Sequence, residues 1–161
     1  MRKIPTTITE EEFLELLKNT KSKKHKIAFS LGFYQCMRVS EVVNLKPENI
    51  DKGRKLIMIK EAKGKKDRNI PISPNIYRGL KHIPVGVGSR ALQIAFRKKA
   101  REVFDKDMHF HDLRHSGATH YYNVKKWNIR QVQVFLGHSS IQTTEIYTHV
   151  NPEDLNKLMW E

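Results

Sequence analysis

His111, Asp112, Leu113, Arg114 and His115 are consecutive, Leu136-Gly137-His138 lies downstream, and Tyr147 follows nine positions later. Together these segments supply imidazoles, a guanidinium and a phenol. An arginine in Met37-Arg38-Val39-Ser40-Glu41 and a lysine in Ala62-Lys63-Gly64-Lys65-Lys66 complete the set. A phosphodiester resists attack because it is anionic and its alkoxide leaving groups are poor. Many hydrolases answer with metal ions. A site without metal must clamp the nonbridging oxygens with fixed cations, protonate the leaving oxygen and activate a nucleophile.

Arg38 suits the clamp, because a guanidinium binds phosphate through two parallel hydrogen bonds. Glu41, three residues on, shares its face on a helix and can hold Arg38 or His111 in place. Arg114 lies three residues after His111, so one helical face presents a cation and a proton carrier together. His138 follows a helix-ending glycine, where a turn exposes a side chain to a ligand. Lys63, beside Gly64 at a charged turn, can swing over a bound phosphodiester and protonate a departing oxygen. Tyr147 is the candidate nucleophile. At pH 7 only about 0.1% of a free phenol is ionised, so deprotonation costs roughly 4 kcal/mol. A histidine and two guanidiniums nearby can supply that.

Each residue also has an ordinary role. Arg38 can be a surface arginine, Glu41 a helix ion-pair partner and His111 a satisfied buried histidine. Arg114 can pair with Asp112 or Glu145, and His138 can cap a helix. Lys60, Lys63, Lys65 and Lys66 can form a simple backbone-binding finger. Tyr121 and Tyr122 rival Tyr147 but are expected to pack against the core.

The elements that must position these groups follow from local signals. Thr9 with Glu12 makes a capping box for a helix whose face is Phe13, Leu16 and Leu17. A second helix is expected from Lys24 to Gln35, with Ile27, Leu31 and Tyr34 at helical spacing, and a short one from Ser40 to Leu45 before Pro47. Alternation over Leu56 to Glu61, the charged turn, and Arg68 to Ile72 predict an antiparallel hairpin with Pro71 at an edge. A third short strand is expected near Asn49 to Asp51. Ser73-Pro74 is expected to open a helix, and Pro84 to Gly88 a flexible loop. Ser89 starts a long basic helix to Phe104. Helices are expected over Asp112 to Asn123 and over Ile129 to Leu136, the latter capped by Asn128 and Gly137. Short helices follow, one from Ser140 carrying Tyr147 and one from Asn151-Pro152-Glu153. The fold class is α+β, mostly helical with a small three-stranded antiparallel sheet.

The 161 residues suit one domain with one core. Lys and Arg number 30 against 17 Asp and Glu, a net charge of +13, and a polyanion such as nucleic acid is the default partner. No stretch has the apolar length of a membrane span. Met1 to Pro5 lacks the apolar run of a secretory signal. The lone Cys36 cannot make an internal disulfide, lies in an apolar stretch and fits a reducing compartment.

The order Arg38, Lys63, His111-x-x-Arg114, His138, Tyr147 resembles the catalytic box of the tyrosine recombinase (phage integrase) family, over Thr9 to Pro152. The resemblance implies that Tyr147 attacks a DNA phosphate, leaving a 3′-phosphotyrosyl link and a free 5′-hydroxyl, with neither metal nor any other cofactor. It implies that Arg38, Arg114 and His138 bind the phosphate. Lys63 would be the general acid, His111 a base or phosphate donor, and Glu41 a supporting residue. Lys60, Lys65, Lys66, Arg68 and His115 would contact double-stranded DNA. A synaptic homotetramer on two DNA sites is implied, in a cytoplasmic, nucleoid-associated protein. The family's usual glycine two positions before the first arginine is Cys36 here, and the stretch from Ile72 to His111 is short. The chain is expected to be a single catalytic domain over 1–161 without the family's amino-terminal DNA-clamping domain, binding DNA weakly alone. Leu155, Leu158, Met159 and Trp160 can dock on a neighbouring protomer or cover their own core.

Other readings stay open on residues alone. A type IB topoisomerase-like enzyme would use the same nucleophile and clamp, and a non-catalytic DNA-binding module the same surface. His109, His111 and His115 raise a metal site, since 111 and 115 have helical ligand spacing.

Overall fold

Glycines let two helices approach closely, and that approach sets the molecule's centre. In the computed structural model, which describes residues 6–60, 67–137 and 152–161, α2 (Lys23–Tyr34) crosses α5 (Phe110–Asn123). A Cβ on Gly32 would touch the Phe110 ring and Leu113 at 3.0 and 3.1 Å, and one on Gly117 would collide with the Phe33 carbonyl and meet the Cys36 Sγ at 2.8 Å. Any larger side chain at 117 would force the helices apart. Every residue from Ile27 to Met37 is buried. The sequence predicts one apolar face for α2, but neighbours cover it all round, so small and polar positions are enclosed as well.

Around this pair lie α1 (Glu10–Lys18), α3 (Val39–Asn44), α4 (Ser89–Phe104) and α6 (Ile129–Leu136), with α7 (Pro152–Trp160) closing the fold. Thr9 accepts from the Glu12 N–H while Glu12 accepts from the Thr9 N–H, so α1 starts as its capping box dictates. Phe13 stacks on Phe33 at 4.5 Å. Leu92, Phe96 and Ala100 bury one side of α4. Asn128 accepts from the Gln131 N–H, and Gly137 (φ +77°) ends α6.

The sheet has antiparallel order β1 (Ile50–Asp51), β2 (Leu56–Ile59), β3 (Arg68–Pro71). Ile59 pairs with Arg68, and Pro71 lies on an edge strand. Buried Gln35 ties the sheet to α2, donating to the Pro71 carbonyl at 2.8 Å and accepting from the Ser73 N–H at 2.6 Å.

The helix expected at Ser73-Pro74 is instead a series of turns leading to a 3-10 segment, Arg78–His82. The stretch is short and Gly79 weakens it, although the glycine lets Ile27 pack close, since a Cβ there would fall 2.9 Å from that side chain. In the loop after it, Val85 is buried and Lys24 donates to the His82 and Pro84 carbonyls. The other boundaries shift by a residue or two. The helix expected around Tyr147 lies outside the described residues.

α7 covers its own chain. Leu155 is buried, Leu158 and Met159 pack on the core, and the Trp160 indole N–H donates to the Ile72 carbonyl at 2.9 Å. Lys55 sits 3.8 Å above the Trp160 ring, in cation–π geometry. Tyr121 is buried as expected, its hydroxyl donating to the Tyr34 carbonyl at 2.6 Å, but Tyr122 is 51% exposed. Adjacent helix positions point about 100° apart, so one of the two turns outward.

Candidate active site

Arg114 is the most constrained of the candidate residues. It lies on α5 three residues before Gly117, where a Cβ would strike the Phe33 carbonyl of α2. Its Nη1 donates to the Cys36 carbonyl at 2.7 Å and its Nη2 to the Leu136 carbonyl at 2.8 Å. Leu136 ends α6, so the guanidinium satisfies a helix-terminal carbonyl and meets the negative end of the helix dipole. Burial, then the neighbouring Arg38 charge, lower its pKa from 12.5 to about 10, which leaves it cationic at neutral pH. The alternative ion pair with Asp112 does not form. That carboxylate accepts the His109 N–H at 2.8 Å as the cap of α5.

Arg38 approaches from the other side. Cys36 before it has φ +52°, a left-handed backbone that explains why glycine suits this position. The turn presents the Cys36 carbonyl to Arg114 and sets Arg38 at the entry of α3. Glu41 then reaches back to accept the Arg38 N–H at 2.9 Å and lies 3.4 Å from its Nη1. Burial would raise the Glu41 pKa, but the Arg68 and Arg38 guanidiniums and the Arg38 N–H outweigh it and hold it below the usual value. Arg38 is 43% exposed at its side chain and Glu41 only 9%.

Arg38, His111, Arg114 and His115, with Ala118 and Leu136, line one cleft of about 160 Å³. Positions 111, 114, 115 and 118 follow the helical repeat, so a single stripe of α5 forms one wall. The His111 and His115 rings meet edge to face at 4.7 Å. Burial, then His115, Arg114 and Arg38, lower the His111 pKa, so its imidazole is neutral at pH 7. Tyr122 lies one turn past Ala118, roughly 12 Å along α5 from Arg114. Among the described residues no cluster of three or more His, Cys, Asp or Glu groups could hold a metal ion.

Arg68 turns toward Glu41 and Gly137. Its side chain is 14% exposed, its Nη1 is 3.1 Å from Glu41 Oε2, and its guanidinium lies against Gly137. Lys60 is exposed at the end of β2 and borders a larger cleft of about 480 Å³ beside α3, which shares no lining residue with the arginine cleft. Lys63, Lys65, Lys66, His138 and Tyr147 lie outside the described residues, although Gly137 directly precedes His138 in the chain. The Cys36 and Leu136 carbonyls escaped the sequence reading, since backbone acceptors leave no residue-type signal. Gly117 did leave one, being a glycine inside a helix.

Residues 6–87 and 87–154 match the phage integrase family. A tyrosine recombinase of Thermosipho africanus (strain TCF52B) is 33% identical over 174 residues, covering 95% of this chain and 60% of the relative. Thus the chain spans about three-fifths of that relative's length. The integrase from mycobacterium phage Brujita superposes with a TM-score of 0.84 at 19% identity, over 99% of this chain and 58% of that one, a likeness of fold. The XerH site-specific recombinase bound to difH substrate, a pre-cleavage complex, gives a TM-score of 0.67 at 26% identity over 99% of this chain and 54% of that one.

Proposed function

Because the chain belongs to the phage integrase (tyrosine recombinase) family, we propose that it is a DNA strand transferase that carries out site-specific recombination through a 3′-phosphotyrosyl intermediate. The observation that carries this reading is the single cleft holding Arg38, Arg114, His111 and His115. Two guanidiniums from different elements neutralise the nonbridging oxygens as the phosphorus becomes pentacoordinate. Arg114, fixed by two carbonyls, needs no reorganisation to do so.

In the cleavage step the Tyr147 oxygen bonds to phosphorus and the bond to the 5′-oxygen breaks. The phenol proton passes to His111, whose lowered pKa keeps it able to accept. Lys63 gives its proton to the leaving 5′-oxygen, and His138 donates to the phosphate. The second step reverses these roles, with the 5′-hydroxyl of a partner strand displacing the tyrosine. Bond energy is kept in the phosphotyrosyl link, so the cycle needs no cofactor. Exchanging both strands of two duplexes needs four such links, hence a homotetramer on two double-stranded DNA sites. Net charge +13 favours the DNA backbone, with Lys60, Lys65, Lys66 and His115 as candidate contacts. A protein with this task works at the nucleoid. Among the described residues no helix is long and apolar enough to cross a membrane.

A nicked DNA substrate that loses its 5′-hydroxyl fragment after cleavage tests the reading. The chain traps itself as a covalent adduct, with or without EDTA, and Tyr147→Phe abolishes the adduct. An adduct that survives Tyr147→Phe refutes the assignment. Strand exchange between two sites, rather than supercoil relaxation alone, separates recombination from topoisomerase-like religation.

A further inference from the structure

Arg68 is a cation near the cleft that turns into the protein. It begins β3 opposite Ile59, five positions after Lys63 in the chain. Its Nη1 and Nη2 lie 3.1 and 3.5 Å from the two Glu41 oxygens. A Cβ built on Gly137 would fall 2.6 Å from its Cζ and Nε, so the guanidinium rests directly on the α6 cap. Glu41 in turn holds the Arg38 N–H, and Leu136, one residue before Gly137, holds Arg114, whose other anchor is the Cys36 carbonyl. Cys36 is two residues before Arg38. The contacts close into a ring.

We propose that Arg68 is a positioning residue: by clasping Glu41 and the Gly137 turn it fixes the spacing of Arg38 and Arg114 and ties the start of β3 to that clamp. This rests on the function proposed above. Arginine suits the task because its fork can meet both carboxylate oxygens while its flat face lies on a glycine. Gly137 suits it twice, since its φ is +77° and any Cβ would displace the guanidinium. The pair is largely shielded from water, with side-chain exposures of 14% and 9%, so removing one charge leaves the other poorly compensated. A direct DNA-backbone contact is the competing role for Arg68, and it makes the opposite kinetic prediction.

The test uses the whole chain with Arg68→Gln, Arg68→Lys, Glu41→Gln and the Arg68→Gln/Glu41→Gln pair. DNA affinity is measured against salt, and adduct formation is followed in single turnovers at saturating nicked DNA. Arg68→Gln should slow the adduct rate about 100-fold, as expected for a misplaced clamp, with an unchanged salt slope and an unchanged reacting fraction. Arg68→Lys should recover part of the rate, and the double variant should be no slower than the worse single one, because both break one unit. An unchanged saturated rate with a salt slope reduced by about one overturns the proposal in favour of a phosphate contact. A lower melting temperature and reacting fraction at an unchanged rate overturn it in favour of bulk stability.

A readout without DNA separates this proposal from the function it rests on. NMR of the guanidinium Nε–H groups should show the Arg38 signal displaced in Arg68→Gln. An unmoved Arg38 signal overturns the positioning role even in a chain that cleaves DNA. If the wild type forms no adduct, the proposed function fails while the Arg38 signal still decides the clasp.

Discussion

Along the seam of α2 and α5, Arg114 hangs between two backbone carbonyls, with Gly32 and Gly117 bringing the helices together behind it. On the rim formed by α3 and β3, Arg38 is half-exposed and is held by a carboxylate that a second guanidinium shares. The seam is set by packing and by acceptors that never titrate. Ionic contacts set the rim, so it responds to charge changes. One arginine is thus held by fixed backbone acceptors and the other by shared charge.

The sharpest way to break this contrast is to truncate each arm. Arg114→Ala should lower the adduct rate about 1,000-fold and also destabilise the fold by about 2 kcal/mol, because two inward carbonyls lose their donor. Arg38→Ala should lower the rate comparably while shifting stability by no more than about 0.5 kcal/mol, as for other exposed side chains. Urea unfolding beside single-turnover kinetics reads both. Equal stability losses would erase the distinction between seam and rim.

Gly117→Ala probes the seam alone. Its Cβ has no room against the Phe33 carbonyl, so unfolding should become easier by about 2 to 3 kcal/mol. A neutral result would mean the helices can separate cheaply. At Cys36 the left-handed backbone reverses the usual order of substitutions. Cys36→Gly should be more stable than Cys36→Ala by about 1 kcal/mol, although glycine ordinarily weakens a chain.

The smallest effect concerns His111. Its folded pKa lies below its ordinary 6.5, mainly through burial and then through His115. A lowered histidine pKa means that stability is full above the unfolded value and falls as pH drops through the folded one. His115→Ala should move the His111 midpoint back up toward 6.5 and narrow that window, as followed by imidazole NMR. A midpoint that stays put would remove His115 as a cause.

Local signals were legible wherever one segment contains its own reason to form. Thr9 and Glu12 cap α1, Asn128 and Gly137 bracket α6, and the alternation of 56–61 with 68–72 gives the hairpin. The His111/Arg114 face was legible for the same reason, as a matter of helical spacing. The Ser73-Pro74 helix failed because Gly79 and shortness outweighed a good start signal. One-sided burial of α2 failed because periodicity reports one face and not how many neighbours arrive. The Arg68–Glu41 contact was not legible because its two partners lie 27 positions apart.

By itself the sequence determined the inventory and the order of reactive groups, the helical stripe bearing His111 and Arg114, and the caps that start and stop the helices around them. These depend on neighbours a few residues apart, where spacing alone fixes which side chains meet. Only the tertiary structure decided that Arg114 is held by carbonyls 78 and 22 positions away, that Arg38 is tethered through Glu41, and that Arg68 faces inward. Such contacts arise when helices and strands pack, and glycine sterics, backbone acceptors and buried charge then choose partners that local spacing cannot specify.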